Sequence, residues 1–127
     1  MKTLYISLAW LIIILLIWFF IFYISIDKTI EYFFNEINIL HDDTLKENYV
    51  EAKNTMNRII EKWIETEKSW IYFVDQTEID EIKTSIQKID NYITIKNQSL
   101  ILFEIEEFKM FLRLVRGNES LSLENIF

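Results

Sequence analysis

Residues 3–26 read TLYISLAWLIIILLIWFFIFYISI, closed by Lys2 on one side and Asp27 on the other. The run holds no acid or base except tyrosine, and its hydroxyl residues Thr3, Ser7 and Ser25 can bond back to carbonyls one helical turn earlier. As a helix rising about 1.5 Å per residue it would measure roughly 36 Å, slightly more than the roughly 30 Å of bilayer hydrocarbon. Trp18, Phe22 and Tyr23 crowd one end and Tyr5 and Trp10 lie toward the other, where aromatic side chains anchor a span at its two interfaces. A cleaved signal peptide would have a shorter apolar core and small residues at a cleavage site, whereas this run ends Tyr23-Ile24-Ser25-Ile26-Asp27. Residues 1–26 are therefore expected to form an uncleaved transmembrane signal-anchor helix. The amino terminus and Lys2 precede the run and Asp27, Lys28, Glu31 and Glu36 follow it. That asymmetry predicts a cytoplasmic N-terminus and an extracytoplasmic remainder.

Outside the span the composition excludes more than it names. One glycine, no proline and no cysteine leave no phosphate-cradling loop, disulfide framework or thiolate metal site, and a single histidine limits acid–base chemistry. From Asp27 onward the chain carries 20 acidic residues against 12 basic ones, a surface that repels nucleic acid and anionic headgroups.

Apolar spacing predicts an all-α fold in which the spanning helix continues into an antiparallel bundle of about four helices, two αα-hairpins, over residues 27–117. Ile26, Ile30, Phe33, Ile37 and Leu40 form one stripe, after which His41-Asp42-Asp43 is expected to interrupt the helix. Thr44 and Glu47 have capping-box spacing for a second helix, with the stripe Leu45, Tyr49, Ala52, Met56, Ile59, Trp63, Trp70, Val74, widened by Ile60, Ile64 and Ile71. Asp75 can cap a third helix, where Ile79, Ile82, Ile86, Ile89 and Ile93 repeat in heptads. The fourth carries Ile101, Ile105, Phe108, Leu112 and Val115, and Arg113, Arg116 and Gly117 have the pattern of a helix C-terminus. Asn48-Tyr49 and Asn97-Gln98 open helices of similar pattern 49 residues apart, a faint internal repeat. Residues 118–127 are expected to form a tail whose Leu121, Leu123, Ile126 and Phe127 fold back on the bundle or, alternatively, dock into a partner groove.

With its N-terminal span, Trp63 in the second helix, Glu-Ile-Asp-Glu-Ile at 78–82 and the ending Leu-Ser-Leu-Glu-Asn-Ile-Phe at 121–127, the chain resembles domain of unknown function 4363. These are small single-pass membrane proteins. It departs from the usual pattern at Asn48-Tyr49 and at Gln76-Thr77. The resemblance implies a spore-forming Gram-positive source and no assigned activity. It also implies the YetF-like membrane proteins, whose genes often lie nearby, as a partner candidate.

The chemical readings are bland. His41-Asp42-Asp43 is expected to be capping aspartates beside an exposed histidine rather than a metal site, because adjacent residues rarely converge on one ion. Glu61, Glu65, Glu104, Glu106 and Glu107 are expected on solvated helix faces. Trp63 and Trp70, two turns apart, are expected in the core, with an apolar ligand pocket as the alternative. No catalytic, metal or cofactor residues are assigned. The expected function is that of a non-enzymatic, membrane-anchored accessory or interaction module. Its partners would be the lipid bilayer and another membrane protein or a second copy of itself. The alternative is an extracytoplasmic sensor with a pocket near Trp63 and Trp70.

Overall fold

A computed structural model describes residues 1–126, with side chains through Asn118. The chain forms four helices, α1 (Lys2–Leu45), α2 (Tyr49–Trp70), α3 (Gln76–Thr94) and α4 (Gln98–Ile126). The all-α expectation holds, and the described residues contain no strand.

α1 is one uninterrupted helix of 44 residues. Its first half, through Ile21, is exposed all round, and it is long and apolar enough to cross a membrane. Its second half buries Ile26, Ile30, Phe33, Ile37 and Leu40 in the core. The expected break at His41-Asp42-Asp43 does not occur, and these aspartates do not cap a helix. Thr44 lies four residues beyond Leu40, on the same face. It is buried and donates its hydroxyl proton to the Leu40 carbonyl at 2.7 Å, so the stripe ends in a satisfied polar group inside the helix. The Thr44–Glu47 capping box is accordingly absent. Asn48 caps α2 instead, its Oδ1 accepting the Glu51 N–H at 3.2 Å. Leu45 belongs to α1 and is exposed rather than opening the α2 stripe.

The internal repeat is structural. In both outer connections an asparagine N–H reaches five residues back, Asn48 to the Asp43 carbonyl at 2.9 Å and Asn97 to the Tyr92 carbonyl at 3.0 Å. The residue before each asparagine, Glu47 or Lys96, has φ of 55°. This is the Schellman arrangement with its left-handed position held by a side-chain-bearing residue. Asn97 then caps α4 as Asn48 caps α2, accepting the Leu100 N–H at 3.1 Å.

Each helix packs on its chain neighbours, and α4 closes the ring against α1. Gln98 Nε2 donates to the Thr44 carbonyl at 3.0 Å at one end of the α1–α4 pair, and Arg116 lies 3.1 Å from the Asp27 carboxylate at the other. The two helices are therefore antiparallel, as short connections require. α2 contributes a narrow stripe of Ala52, Thr55, Met56, Ile59, Trp63, Thr66 and Trp70. Ile64 and Ile71, expected to widen it, are exposed, and Ile60 is half-buried. α3 buries all five isoleucines of its heptad, and Asp75 caps it through the Thr77 N–H at 2.8 Å. α4 buries Ile101, Ile105, Phe108, Leu112 and Val115 completely. Because isoleucine loses side-chain freedom in a helix, this mutual burial, about 1.5–3 kcal/mol per large side chain, is what sustains the helices.

α4 does not stop at Gly117. The glycine is helical, has no positive φ, and a Cβ built on it would meet nothing within 4 Å. The side chains of Leu121, Leu123 and Ile126, and all of Phe127, lie outside the described residues.

Candidate functional site

Of the candidate interaction residues Trp63, Trp70, Leu121, Leu123, Ile126 and Phe127, the two tryptophans have described side chains and the other four lie outside the described ones. Trp63 and Trp70 are in the core, 4% and 2% exposed, with their rings edge to face at 6.0 Å. Phe33 links them to the rest of the core, its ring 6.4 Å from Trp63 and 6.0 Å from Phe108. Neither tryptophan lines the groove between α3 and α4, the one beside Tyr49 and Val50, or the one beside Ser25 and Tyr32. Trp63 Nε1 is buried without a hydrogen-bond partner, an unusual state for an indole N–H. Together the two indoles fill the core rather than present a surface.

The exposed apolar surface of the bundle lies elsewhere. On α4, Leu100, Phe103, Met110 and Leu114 follow one another at spacings of 3, 7 and 4, which is a second helical stripe. It points away from the core stripe, and Phe103 is 62% exposed. The residues between these positions include Glu106, 3.7 Å from Lys109. α4 is thus apolar on two faces, one packed and one open. Both periodicities are present in the sequence, and either one alone specifies a helix.

Between α3 and α4 runs a groove of about 520 Å³ whose lining includes Thr77, Ser85, Lys88, Phe103, Glu104 and Glu107. Glu104 is buried, contrary to its expected solvated face, because it falls between the core positions Ile101, Ile105 and Phe108. Ser85 is also buried and its hydroxyl has no partner. Among the described residues no three His, Asp or Glu side chains converge to hold a metal ion. His41, half-buried within α1, has Nδ1 3.8 Å from Asp42. Asp43 instead accepts from Thr55 Oγ1 at 3.2 Å, part of a chain in which Arg58 donates to Thr55 and to Glu36. That chain stitches α1 to α2.

At the apolar end of the bundle the charged groups gather around Arg116. Its guanidinium lies 2.8 Å from Glu31 and sits 5.6 Å from the Phe34 ring centroid. Asn118 donates to the Glu78 carboxylate. Burial raises the Glu78 carboxyl above its ordinary value, against the pull of that hydrogen bond. Just below this belt the Phe73 ring meets Phe22 of α1, with ring centroids 3.9 Å apart. Of the expected membrane-anchoring aromatics, Tyr5, Trp10 and Trp18 are exposed and Phe22 and Tyr23 are half-buried where α1 enters the bundle.

Comparison with curated proteins and with solved structures gives no match. A family model matches residues 20–126, from the last turns of the apolar run through the whole bundle. The chain therefore belongs to the family described as a domain of unknown function, DUF4363.

Proposed function

We propose that the protein is a non-enzymatic, single-pass membrane-anchored stand that holds a helical bundle beside another membrane protein. The reading rests above all on the continuity of α1. The same helix supplies the exposed apolar half and one quarter of the bundle core, with no connection between them. An anchor and a bundle built on one rod fix the height and rotation of every bundle face relative to the lipid. Such fixing is useful to a protein that positions a contact surface and wasteful in one that only needs to be near a membrane.

The α4 stripe of Leu100, Phe103, Met110 and Leu114 is the contact surface, and its partner is a helix of a second membrane protein. The stripe descends toward the apolar end of α1, so a membrane-bound partner can lie along it. The amino terminus and Lys2 on one flank of the span, against Asp27, Lys28, Glu31 and Glu36 on the other, favour an extracytoplasmic bundle. The YetF-like membrane proteins are the first candidates to probe.

Photo-cross-linking tests this in native membranes. A cross-linker replacing Phe103 or Met110 is expected to trap one discrete membrane-protein adduct, and one replacing Glu61 or Glu65 on α2 to trap none. Equal adducts from both faces would discard the α4 surface. Recovery of the full-length chain in the soluble fraction, without detergent, would discard the anchor.

A further inference from the structure

We infer that the α2–α3 connection, residues 71–75, is a second lipid-contacting element, seated through Ile71, Tyr72 and Phe73 in the interfacial layer of the bilayer that α1 crosses. This rests on the membrane-anchored reading above.

Three consecutive large apolar or aromatic residues stand 47%, 76% and 57% exposed at one end of the bundle. Lys68 and Asp75 bracket the run with charge, while Trp70 and Val74 on either side of the three are buried. The chain therefore makes a short wedge whose flanks are fixed in the core and whose tip is offered outward. The contact between Phe73 and Phe22 sets its depth. Phe22 lies within the apolar run, five residues before Asp27, which is about 7.5 Å of helix on the lipid side of the first charge. A residue packed against Phe22 shares that level. Tyr72 has the apolar body and polar tip found at membrane interfaces.

A protein occupant fits less well. Aromatic side chains bury about 150–250 Å² each, so the exposed parts of these three offer roughly 300–400 Å². A specific protein contact needs about 800 Å² per partner, which the α4 stripe can approach with its polar neighbours over about 21 Å of helix, whereas these three residues end with a short connection. A bilayer interface has no such threshold, because each apolar group contributes singly and the span already supplies attachment.

The experiment uses the full-length protein, whose natural sequence has no cysteine. Tyr72→Cys, Leu15→Cys and Val50→Cys are each labelled with an environment-sensitive fluorophore and reconstituted in phosphatidylcholine vesicles carrying doxyl-lipid quenchers. Tyr72 and Val50 are both highly exposed, so neither substitution opens the core. The label at Tyr72 is expected to lose intensity to a quencher near the headgroups, that at Leu15 to one deep in the acyl chains, and that at Val50 to neither. Quenching at Leu15 with a water-accessible label at Tyr72 would overturn the inference and leave the anchor standing. A label at Tyr72 shielded from water yet not quenched by lipid would overturn it in favour of a protein cover. Loss of quenching at Leu15 would remove the anchor and the inference together.

Discussion

Glu47 and Lys96 stand 49 positions apart with the same φ of 55°, each just before the asparagine that caps the next helix. Neither is a glycine or asparagine, the residues that take this conformation cheaply.

Glu47→Gly and Lys96→Gly are each expected to stabilise the folded chain by about 1 kcal/mol, since a left-handed Cβ costs about 1–2 kcal/mol and glycine returns part of that as unfolded-state entropy. Denaturant titration of the detergent-solubilised protein reads this as a higher midpoint. An unchanged or lower midpoint for both would mean that the left-handed turn is not the strained element.

Gly117→Ala is expected to stabilise by about 1 kcal/mol, because the position is interior to α4 and alanine is the better helix former by that amount. The open space around the absent Cβ leaves nothing for the methyl to strike. Destabilisation would reveal a close neighbour on that face.

Trp63 separates volume from polarity. Trp63→Ala leaves a large core cavity and should cost about 3–5 kcal/mol. Trp63→Phe keeps most of the ring and removes an indole N–H that has no partner, whose burial is worth about 1–3 kcal/mol of penalty. The two effects oppose each other, so the phenylalanine variant should lie within about 1 kcal/mol of the parent. Urea midpoints of the two variants and the parent decide it.

Glu78 makes stability pH-dependent with an unusual sign. Its folded carboxyl titrates above the ordinary value of 4.5, through burial first and then through Asp75 and Glu81. Between the unfolded and folded values the folded state holds the extra proton. Stability therefore falls as pH rises from about 4.5 through the folded value, and the contribution is fully present only below that window. Glu78→Gln should flatten this limb, so the difference between variant and parent grows in the variant's favour as pH rises. A parallel pair of stability curves would count against it.

The heptads were legible because a bundle core repeats at a fixed spacing: the isoleucines of α3 and the five core positions of α4 are buried as their pattern requires. The Asp75 cap was legible for the same local reason. Backbone choices were not. His41-Asp42-Asp43 looks like a break by residue type, yet the burial of Thr44 one turn past Leu40 carries the helix through. Gly117 looks like a terminus, although glycine merely tolerates helix there. Ile71 read as part of the α2 stripe, whereas the helix ends at Trp70 and turns it outward with Tyr72 and Phe73. Tertiary closure alone decides which apolar residues face inward. The second stripe of α4 and the exposed tip of the α2–α3 connection follow from that closure.

A joint-free α1 also works as a lever. From Asp27 to Leu45 it extends about 28 Å beyond the apolar run, so a 10° change in the tilt of the apolar half would sweep the outer tip by about 5 Å. In the proposed membrane-anchored arrangement, thinning or thickening of the lipid around it, or a sideways push from a neighbour, would arrive at Glu47 and Lys96 as displacement rather than being absorbed in a hinge.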